Sequence, residues 1–192
     1  MKLVTYRASV AAEARLGVIV GNQVLDAEAL GDVYGEDIPS SMLDLIDTGR
    51  AGVDALREIV EEAGDNPPIH TSTALANVKL LAPIPRPRKN IFGIGLNYLD
   101  HITESAKALD TDDALPKEPV VFSKPPTAVI GPGDAIRHDS SMTQQLDWEV
   151  ELAVIIGRQA TRVSREDALS CVFGYSVVID VSARDNRRAG QW

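Results

Sequence analysis

Acidic and apolar residues alternate between positions 145 and 157, and this is the clearest pattern in the chain. Successive side chains of a β-strand point to opposite faces of its sheet. Asp147, Glu149 and Glu151 therefore share one face of a predicted strand. The segment is expected to have one acidic and one apolar face, the latter formed by Leu146, Trp148, Val150 and Leu152.

A second apolar run, over residues 172–179, predicts another strand and places Asp180 at its end. Because the run is continuously apolar, we expect it to be buried on both faces. A carboxylate at the end of such a strand needs a cationic partner or a bound ion to keep its charge. Asp180 is therefore a candidate to act together with the acidic strand.

The N-terminal part of the chain has the patterns of short strands. Residues 2–6, 15–20 and 23–25 are rich in β-branched and other apolar residues. Gly21-Asn22 predicts a two-residue hairpin turn between the second and third of these strands.

Apolar residues at three- and four-residue spacing predict two amphipathic helices after these strands. One helix ends at Gly49, and the other covers residues 52–63. A cluster of Gly, Asp, Asn and Pro follows at residues 64–68 and is typical of a connection. We therefore divide the chain into a small N-terminal α+β domain, residues 1–75, and a second domain, residues 76–192.

Two glycines interrupt the next predicted strand, residues 90–95. Gly93 and Gly95 fit the start of a dinucleotide-binding motif, but Tyr98 stands where its third glycine belongs. We reject that interpretation, because glycines within a strand more often allow a bulge or a close approach of backbone to another group.

Composition narrows the class of protein. Of the 192 residues, 44% are hydrophobic, and the net charge of −9 without a long basic cluster argues against a nucleic-acid partner and favours a small ligand. The single cysteine, Cys171, cannot form an intrachain disulfide, which favours the cytoplasm. No apolar stretch approaches the roughly 20 residues of a membrane helix, and the N-terminus lacks the layout of a signal peptide, so we expect a soluble protein.

The acidic face of the strand has two explanations. A solvated surface is the ordinary one, because acid–apolar alternation is common. The alternative is a metal site, since residues two apart on a strand lie roughly 6.5–7 Å apart and a hard divalent cation would offset the repulsion between their carboxylates.

Four other side chains have catalytic potential. His101 and Glu104 are neighbours on a helix, so the carboxylate can orient the imidazole as a general base. Lys124 and Arg184 can bind an anionic substrate, Arg184 in fork geometry. The alternatives are a surface histidine with a chance acidic neighbour for the pair and an exposed surface lysine for Lys124.

Taken together, the motifs resemble the fumarylacetoacetate hydrolase family, although each of them alone is weak. The resemblance covers residues 83–192, and the N-terminal unit resembles the small domain of many bacterial members. Five segments carry it, namely residues 93–101 with Glu104, 122–127, 131–134, 147–157 and 180–185.

The resemblance implies a role for seven residues. Glu149, Glu151 and Asp180 match the family's ligands for Mg2+ or Mn2+, whereas Asp147 matches no assigned role. The remaining matches are the catalytic dyad, His101 and Glu104, and the substrate-binding residues, Lys124 and Arg184.

The resemblance also implies a fold and an activity. The fold is α+β, with a mixed β-roll as catalytic domain, usually in homodimers. The activity is metal-dependent hydrolysis of a carbon–carbon bond in a 1,3-dicarbonyl or acylpyruvate-type acid. Alternatives are an isomerase or decarboxylase of hydroxymuconate-type 2-oxo-diene dioates in aromatic catabolism, and a catalytically silent binding domain.

The sequence departs from the family pattern in two respects. Arg187 stands where a glutamine often follows the substrate-binding arginine, which affects substrate specificity. Family members also continue beyond the position of Trp192 with strands that complete the roll and with a further lysine and threonine at the site. We therefore expect that these 192 residues do not close the β-roll by themselves.

Overall fold

The computed structural model describes residues 1–100 and 117–186. The described residues confirm the predicted α+β class. The helices are α1 (Ala27–Tyr34), α2 (Met42–Ala63) and α3 (Arg165–Ala168), and the strands are β1 (Lys2–Arg7), β2 (Arg15–Val20), β3 (Gln23–Asp26), β4 (Ser72–Ala74), β5 (Lys79–Leu80), β6 (Ile91–Gly95), β7 (Val120–Lys124), β8 (Leu146–Ile156) and β9 (Val172–Ala183).

The first five strands form one antiparallel sheet in the order β4-β3-β2-β1-β5. The predicted hairpin is confirmed, because Val20 pairs with Gln23 and leaves two residues in the turn. Gly21 has φ 56°, a left-handed conformation that glycine adopts without steric cost.

Two helices pack on this sheet and enclose its core. Ser41 caps α2, and the helix is broken at Gly49, where φ is 66° and ψ is −149°. The break confirms the two predicted helical segments. Apolar side chains from both segments, among them Leu45 and Leu56, are buried against Leu16 and Leu25 of the sheet.

The N-terminal sheet extends past residue 75, the predicted domain boundary, because β5 pairs with β1. Thr5 Oγ1 also donates to the carbonyl oxygen of Pro83 at 2.6 Å. Ile155 of β8 and Phe173 of β9 pack against the same core. These contacts join the sheet to the part of the chain that carries the acidic strand.

Strands β6 and β7 form an antiparallel pair in which Gly93 lies opposite Phe122. A Cβ atom at Gly93 would approach the Phe122 ring to 2.2 Å. The glycine therefore admits an aromatic ring close to the strand backbone, which is the close approach that the sequence predicted in place of a dinucleotide motif.

Strands β8 and β9 form a long antiparallel pair, and within the described residues they pair with no other strand. The prediction that residues 172–179 are buried on both faces is wrong for this part of the chain, since Val177 is 73% exposed. No second layer of described residues covers that side of the pair. We call it the apolar face; it carries Trp148, Val150, Leu152, Val154, Tyr175, Val177 and Ile179.

Cys171 is buried and has a free thiol. It lies directly before β9. None of the helices in residues 1–100 and 117–186 is long and apolar enough to cross a membrane.

Candidate functional site

The candidate site lies on the side of β8 and β9 opposite to the apolar face. Glu149 pairs directly with Asp180, and Asp147 pairs with Ser182. We call this side the acidic face; it carries Asp147, Glu149 and Glu151 from β8 and Asp180 and Ser182 from β9.

The acidic face is the more buried of the two faces. The side chains of Glu149 and Asp180 are 22% and 16% exposed, whereas Trp148 is 67% exposed. Burying carboxylates is costly unless cations or ligands compensate their charge. The explanation of a solvated acidic surface is therefore wrong for Glu149, and Asp180 has the cationic partner that its position predicted.

Lys124, at the end of β7, lies against Asp180. Its Nζ forms an ion pair with Asp180 Oδ1 and donates to the carbonyl oxygen of Val181 at 2.8 Å. Asp180 Oδ1 is itself buried, and apart from Lys124 no described residue donates a hydrogen bond to it. The ion pair thus leaves this oxygen with unused capacity to accept or to ligate.

Arg184 connects two carboxylates of the acidic face. Its Nε and Nη2 lie 2.9 Å and 2.8 Å from Asp147 Oδ2, and Nη2 lies 3.1 Å from Glu149 Oε1. Burial lowers the pKa of Arg184, but the hydrogen bonds and charges of the two carboxylates raise the pKa above its ordinary value. The guanidinium lowers the pKa of Asp147 in turn. Asp147, to which the sequence assigned no role, therefore orients Arg184.

Ser182 is a site residue that sequence reasoning missed. Its hydroxyl donates to Glu149 Oε1 at 2.7 Å. A signal was present, because Ser182 stands two residues after Asp180 on a strand and therefore on the same face.

Asp185 is a second missed residue, and it joins the end of β9 to the start of β8. Its carboxylate accepts hydrogen bonds from the Thr143 hydroxyl and, at 2.7 Å, from the Gln144 amide. These bonds lower the pKa of Asp185. The Arg184 amide also donates to Gln145 O at 2.9 Å. The two strand ends are thereby held together next to Asp147 and Arg184.

The predicted dyad, His101 and Glu104, lies outside the described residues. The segment before it has an unusual backbone, since Leu96 has φ 53°. A left-handed conformation costs a residue with a Cβ atom about 1–2 kcal/mol. Residues in such conformations occur in turns and bends, as His70 and Arg162 do here, and also at functional sites.

The carboxylates of the acidic face suit a hard divalent cation, because such ions prefer oxygen ligands. The buried Asp180 oxygen has Lys124 as its partner among the described residues, so an ion at this position would replace or share that contact. Within the described residues, however, no three histidine, cysteine or acidic side chains converge closely enough to hold an ion. The donor set fits a metal, whereas the present side-chain arrangement holds Lys124 and Arg184 instead.

The part of the chain that carries this face matches one known family. Residues 90–192 match the family described as "Fumarylacetoacetate (FAA) hydrolase C-terminal". The chain belongs to the fumarylacetoacetate hydrolase family. The resemblance predicted from the sequence is thus confirmed, while the roles of individual residues remain predictions. The matched range contains all seven of those residues, namely His101, Glu104, Lys124, Glu149, Glu151, Asp180 and Arg184.

The chain is similar to proteins with several reactions. It is 44% identical over 152 residues to oxaloacetate tautomerase YisK of Bacillus subtilis (strain 168). The aligned residues cover 78% of this chain and 49% of the relative. The fumarylacetoacetate hydrolase of psychrophilic Exiguobacterium antarcticum is 33% identical, with a TM-score of 0.66 over 96% of this chain and 57% of that chain. The maleylpyruvate hydrolase of Sphingobium sp. SYK-6, solved with manganese(II) and pyruvate, is 27% identical, with a TM-score of 0.67 over 96% of this chain and 60% of that chain.

These comparisons confirm the predicted fold, a mixed β-roll of the fumarylacetoacetate hydrolase type. The chain is shorter than these proteins: it spans about half the length of the Bacillus relative and less than two thirds of each of the two solved structures.

Proposed function

We propose that this chain carries the active site of a metal-dependent enzyme that interconverts the keto and enol forms of a small 2-oxo dicarboxylic acid. The observation that carries the proposal is the cross-strand pair of Glu149 and Asp180 on the more buried face, with Lys124 and Arg184 against it. The Bacillus relative, an oxaloacetate tautomerase, supports this reaction class.

Glu149, Glu151 and Asp180 would hold Mg2+ or Mn2+. When bound, the ion would polarise the substrate carbonyl and stabilise the negative charge of the enolate. The manganese in the Sphingobium neighbour supports a divalent metal for this family. The oxygen-only donor set of the acidic face is consistent with either ion.

Arg184 would bind a carboxylate of the substrate. Its described hydrogen bonds use Nε and Nη2, and no described residue bonds to Nη1. Asp147 and Glu149 hold the guanidinium plane, so little rotamer freedom remains to be lost when Nη1 engages the substrate. Lys124 supplies a second cation on the same face, which suits a dianionic acid.

The dyad of His101 and Glu104 would move the proton. Glu104 would orient the imidazole, and His101 would remove a proton from the carbon next to the carbonyl. Return of that proton to the carbonyl oxygen, directly or by exchange with solvent, then gives the enol. The reverse steps return the keto acid. No net change of atoms occurs, as a tautomerisation requires.

A second candidate is hydrolysis of the carbon–carbon bond in an acylpyruvate-type acid, the activity that the sequence predicted first. The maleylpyruvate hydrolase neighbour favours this reaction. The same groups would then be used differently. His101 would deprotonate a water that attacks the second carbonyl, and the carbon–carbon bond would break with the enolate as the leaving group. An isomerase or decarboxylase of 2-oxo-diene dioates would use the same enolate.

The test is a substrate panel on the full chain with Mn2+ or Mg2+. Enol oxaloacetate, acylpyruvates and hydroxymuconate-type dienes are followed by the loss of their ultraviolet absorbance, and products are identified by mass spectrometry. We expect faster conversion of enol to keto oxaloacetate without change of mass. Cleaved acylpyruvate products would favour the hydrolase, and no turnover of any substrate would favour the silent binding domain.

A matched pair of variants links any activity to the site. Glu149→Gln removes a carboxylate of the acidic face, whereas Glu166→Gln removes one from the exposed first turn of α3. We expect activity to be lost in the first variant and kept in the second.

A further inference from the structure

We propose that Lys124 competes with the divalent ion for Asp180. The lysine pairs with Asp180 in the ion-free chain and is displaced when the ion binds. This inference rests on the metal site proposed above. It accounts for an apparent conflict, since the face has the ligands for an ion but no three of its described acidic side chains converge on one point.

The position of Lys124 is fixed by its backbone. It is the last residue of β7, where it pairs with Ile91, and Pro125 and Pro126 follow. Proline restricts both its own φ and the conformation of the preceding residue. Any displacement of the ammonium must therefore come from the side chain, whose four-carbon stem is flexible.

The contacts of the ammonium are those of a replaceable cation. Nζ touches one oxygen of Asp180 and the Val181 carbonyl, and the side chain is 33% exposed. The Asp180 oxygen receives this one cation, and no other described residue donates a hydrogen bond to it. A divalent ion on the same carboxylate would attract it more strongly and would repel the ammonium.

The charge of the whole face favours an added cation, and the ion pairs of the two resident cations differ in number. Four carboxylates against two cations leave a formal charge of −2, which one divalent ion would neutralise. Arg184 is held by two carboxylates, whereas Lys124 pairs with one. Lys124 is therefore the cation that leaves at lower cost. The charged side chains in this count are Asp147, Glu149, Glu151, Asp180, Lys124 and Arg184.

Displacement would give the lysine a second use. Once it leaves Asp180, the ammonium can bind an oxygen of the substrate on the same face. Metal binding would then prepare the substrate site, and the ion would bind before the substrate.

The test measures Mn2+ affinity from the electron paramagnetic resonance signal of free Mn2+ during titration of the full chain. Lys124→Met removes the competing charge at similar side-chain length, and Lys124→Arg keeps the charge. We expect Lys124→Met to lower the Kd by about tenfold, which corresponds to about 1.4 kcal/mol, and Lys124→Arg to leave the Kd near that of the unaltered chain.

Lys79→Met is the matched control. Lys79 pairs with Asp134 at 2.8 Å on an exposed part of β5, and its removal changes the net charge by the same amount. An equal gain in affinity in this variant would show a general charge effect and overturn the proposal. A higher Kd in Lys124→Met would also overturn it, because the lysine would then orient Asp180 for the ion.

A measurement on the unaltered chain avoids any folding defect of the variants. Modification of Lys124 by an amine-reactive reagent is read by mass spectrometry with and without Mn2+. We expect Mn2+ to increase the modification of Lys124 and to leave that of Lys79 unchanged; no increase at Lys124 would overturn the proposal. Failure to bind Mn2+ at all would remove the proposed metal site as well, whereas Mn2+ binding without these effects would remove the competition alone.

Discussion

Glu149 has its two carboxylate oxygens in different environments. Oε1 accepts the Ser182 hydroxyl at 2.7 Å and lies 3.1 Å from Arg184 Nη2. No described residue bonds to Oε2. The two donors therefore orient the carboxylate so that one oxygen remains for a ligand, as the hydrogen-bonded partners of metal ligands commonly do.

Ser182 tests this orientation. Ser182→Ala is expected to weaken Mn2+ binding by roughly tenfold, because Glu149 loses one of the donors that hold it. Titration with Mn2+ measures the change. Ser176→Ala is the control, since Ser176 lies on the same strand and face but opposite Ala153. Equal affinities of the two variants would show that Ser182 does not position a metal ligand.

His101 tests the proton-transfer role. His101→Ala should lower turnover by roughly 100-fold or more, because a positioned general base is lost. Mn2+ affinity should stay close to that of the unaltered chain, since His101 is not among the proposed ligands. Turnover and Mn2+ titration are measured on the same preparation, and unchanged turnover would remove His101 from the mechanism.

The sequence predicted the composition of the acidic face but not its burial. Strand periodicity alone places Glu149 and Glu151 on one face. Which face is covered depends on the elements that pack against it, and local pattern carries no information about them. The partners of Asp180 and Asp147 were also missed, because Lys124 and Arg184 reach them across 56 and 37 positions of sequence.

Asp26, at the end of β3, joins β1, β2 and α1 to that strand. Its carboxylate accepts hydrogen bonds from Arg15, from the Tyr6 hydroxyl at 2.7 Å and from the Ala29 amide at 2.9 Å, which caps α1. Burial raises the pKa of Asp26, but these hydrogen bonds lower the pKa by more than burial raises it. The pKa of Asp26 is therefore below its ordinary value.

The pKa of Asp26 implies a pH dependence of stability. A carboxylate with a lowered folded-state pKa contributes stability that is complete above its unfolded pKa of about 3.9 and is lost as the pH falls through the lower, folded-state pKa. Asp26→Asn keeps a capping side chain but loses the charge. We expect it to lower the free energy of unfolding by about 1.5–3 kcal/mol at neutral pH, and the difference from the unaltered chain to shrink below pH 4.

Thermal unfolding between pH 7 and pH 2.5 measures this difference. Asp54→Asn is the control, because Asp54 forms an exposed ion pair with Arg57 within α2 and should contribute less than about 1 kcal/mol. A constant difference between Asp26→Asn and the unaltered chain over the whole pH range would contradict the assignment.

The sequence correctly predicted the elements whose conformation depends only on residues close together in the chain. The hairpin at Gly21 and the break at Gly49 follow from the backbone freedom of glycine, which is a property of the residue. The role of Asp26 was missed, since it depends on Arg15 and Tyr6 in neighbouring strands. Pairing between strands, and hence register, is set by the assembled sheet.

The apolar face of β8 and β9 is exposed in the part of the chain that the structure describes. Contiguous apolar surface of this kind favours association. The chain spans 49% of the Bacillus relative, and homodimer formation remains a prediction for the chain.

The apolar face predicts the behaviour of the 192-residue chain in solution. We expect it to self-associate and to bind an apolar fluorescent dye. Trp148→Lys and Val177→Lys should each reduce both effects, because each places a charge on the face. Sedimentation and dye fluorescence measure them, with Val10→Lys as control for an exposed apolar residue in the N-terminal unit. A monomer that unfolds cooperatively and binds no dye would contradict the expectation.

We propose that the acidic face of β8 and β9 binds a divalent ion and catalyses enolisation of a 2-oxo acid. The most direct measurement is the Mn2+-dependent rate of enol-to-keto conversion of oxaloacetate by the unaltered chain and by Asp180→Asn. We predict a fall of roughly 100-fold or more, because loss of the ion removes several kcal/mol of stabilisation from the transition state. Equal Mn2+-dependent rates in the two proteins would show that Asp180 does not hold a catalytic ion.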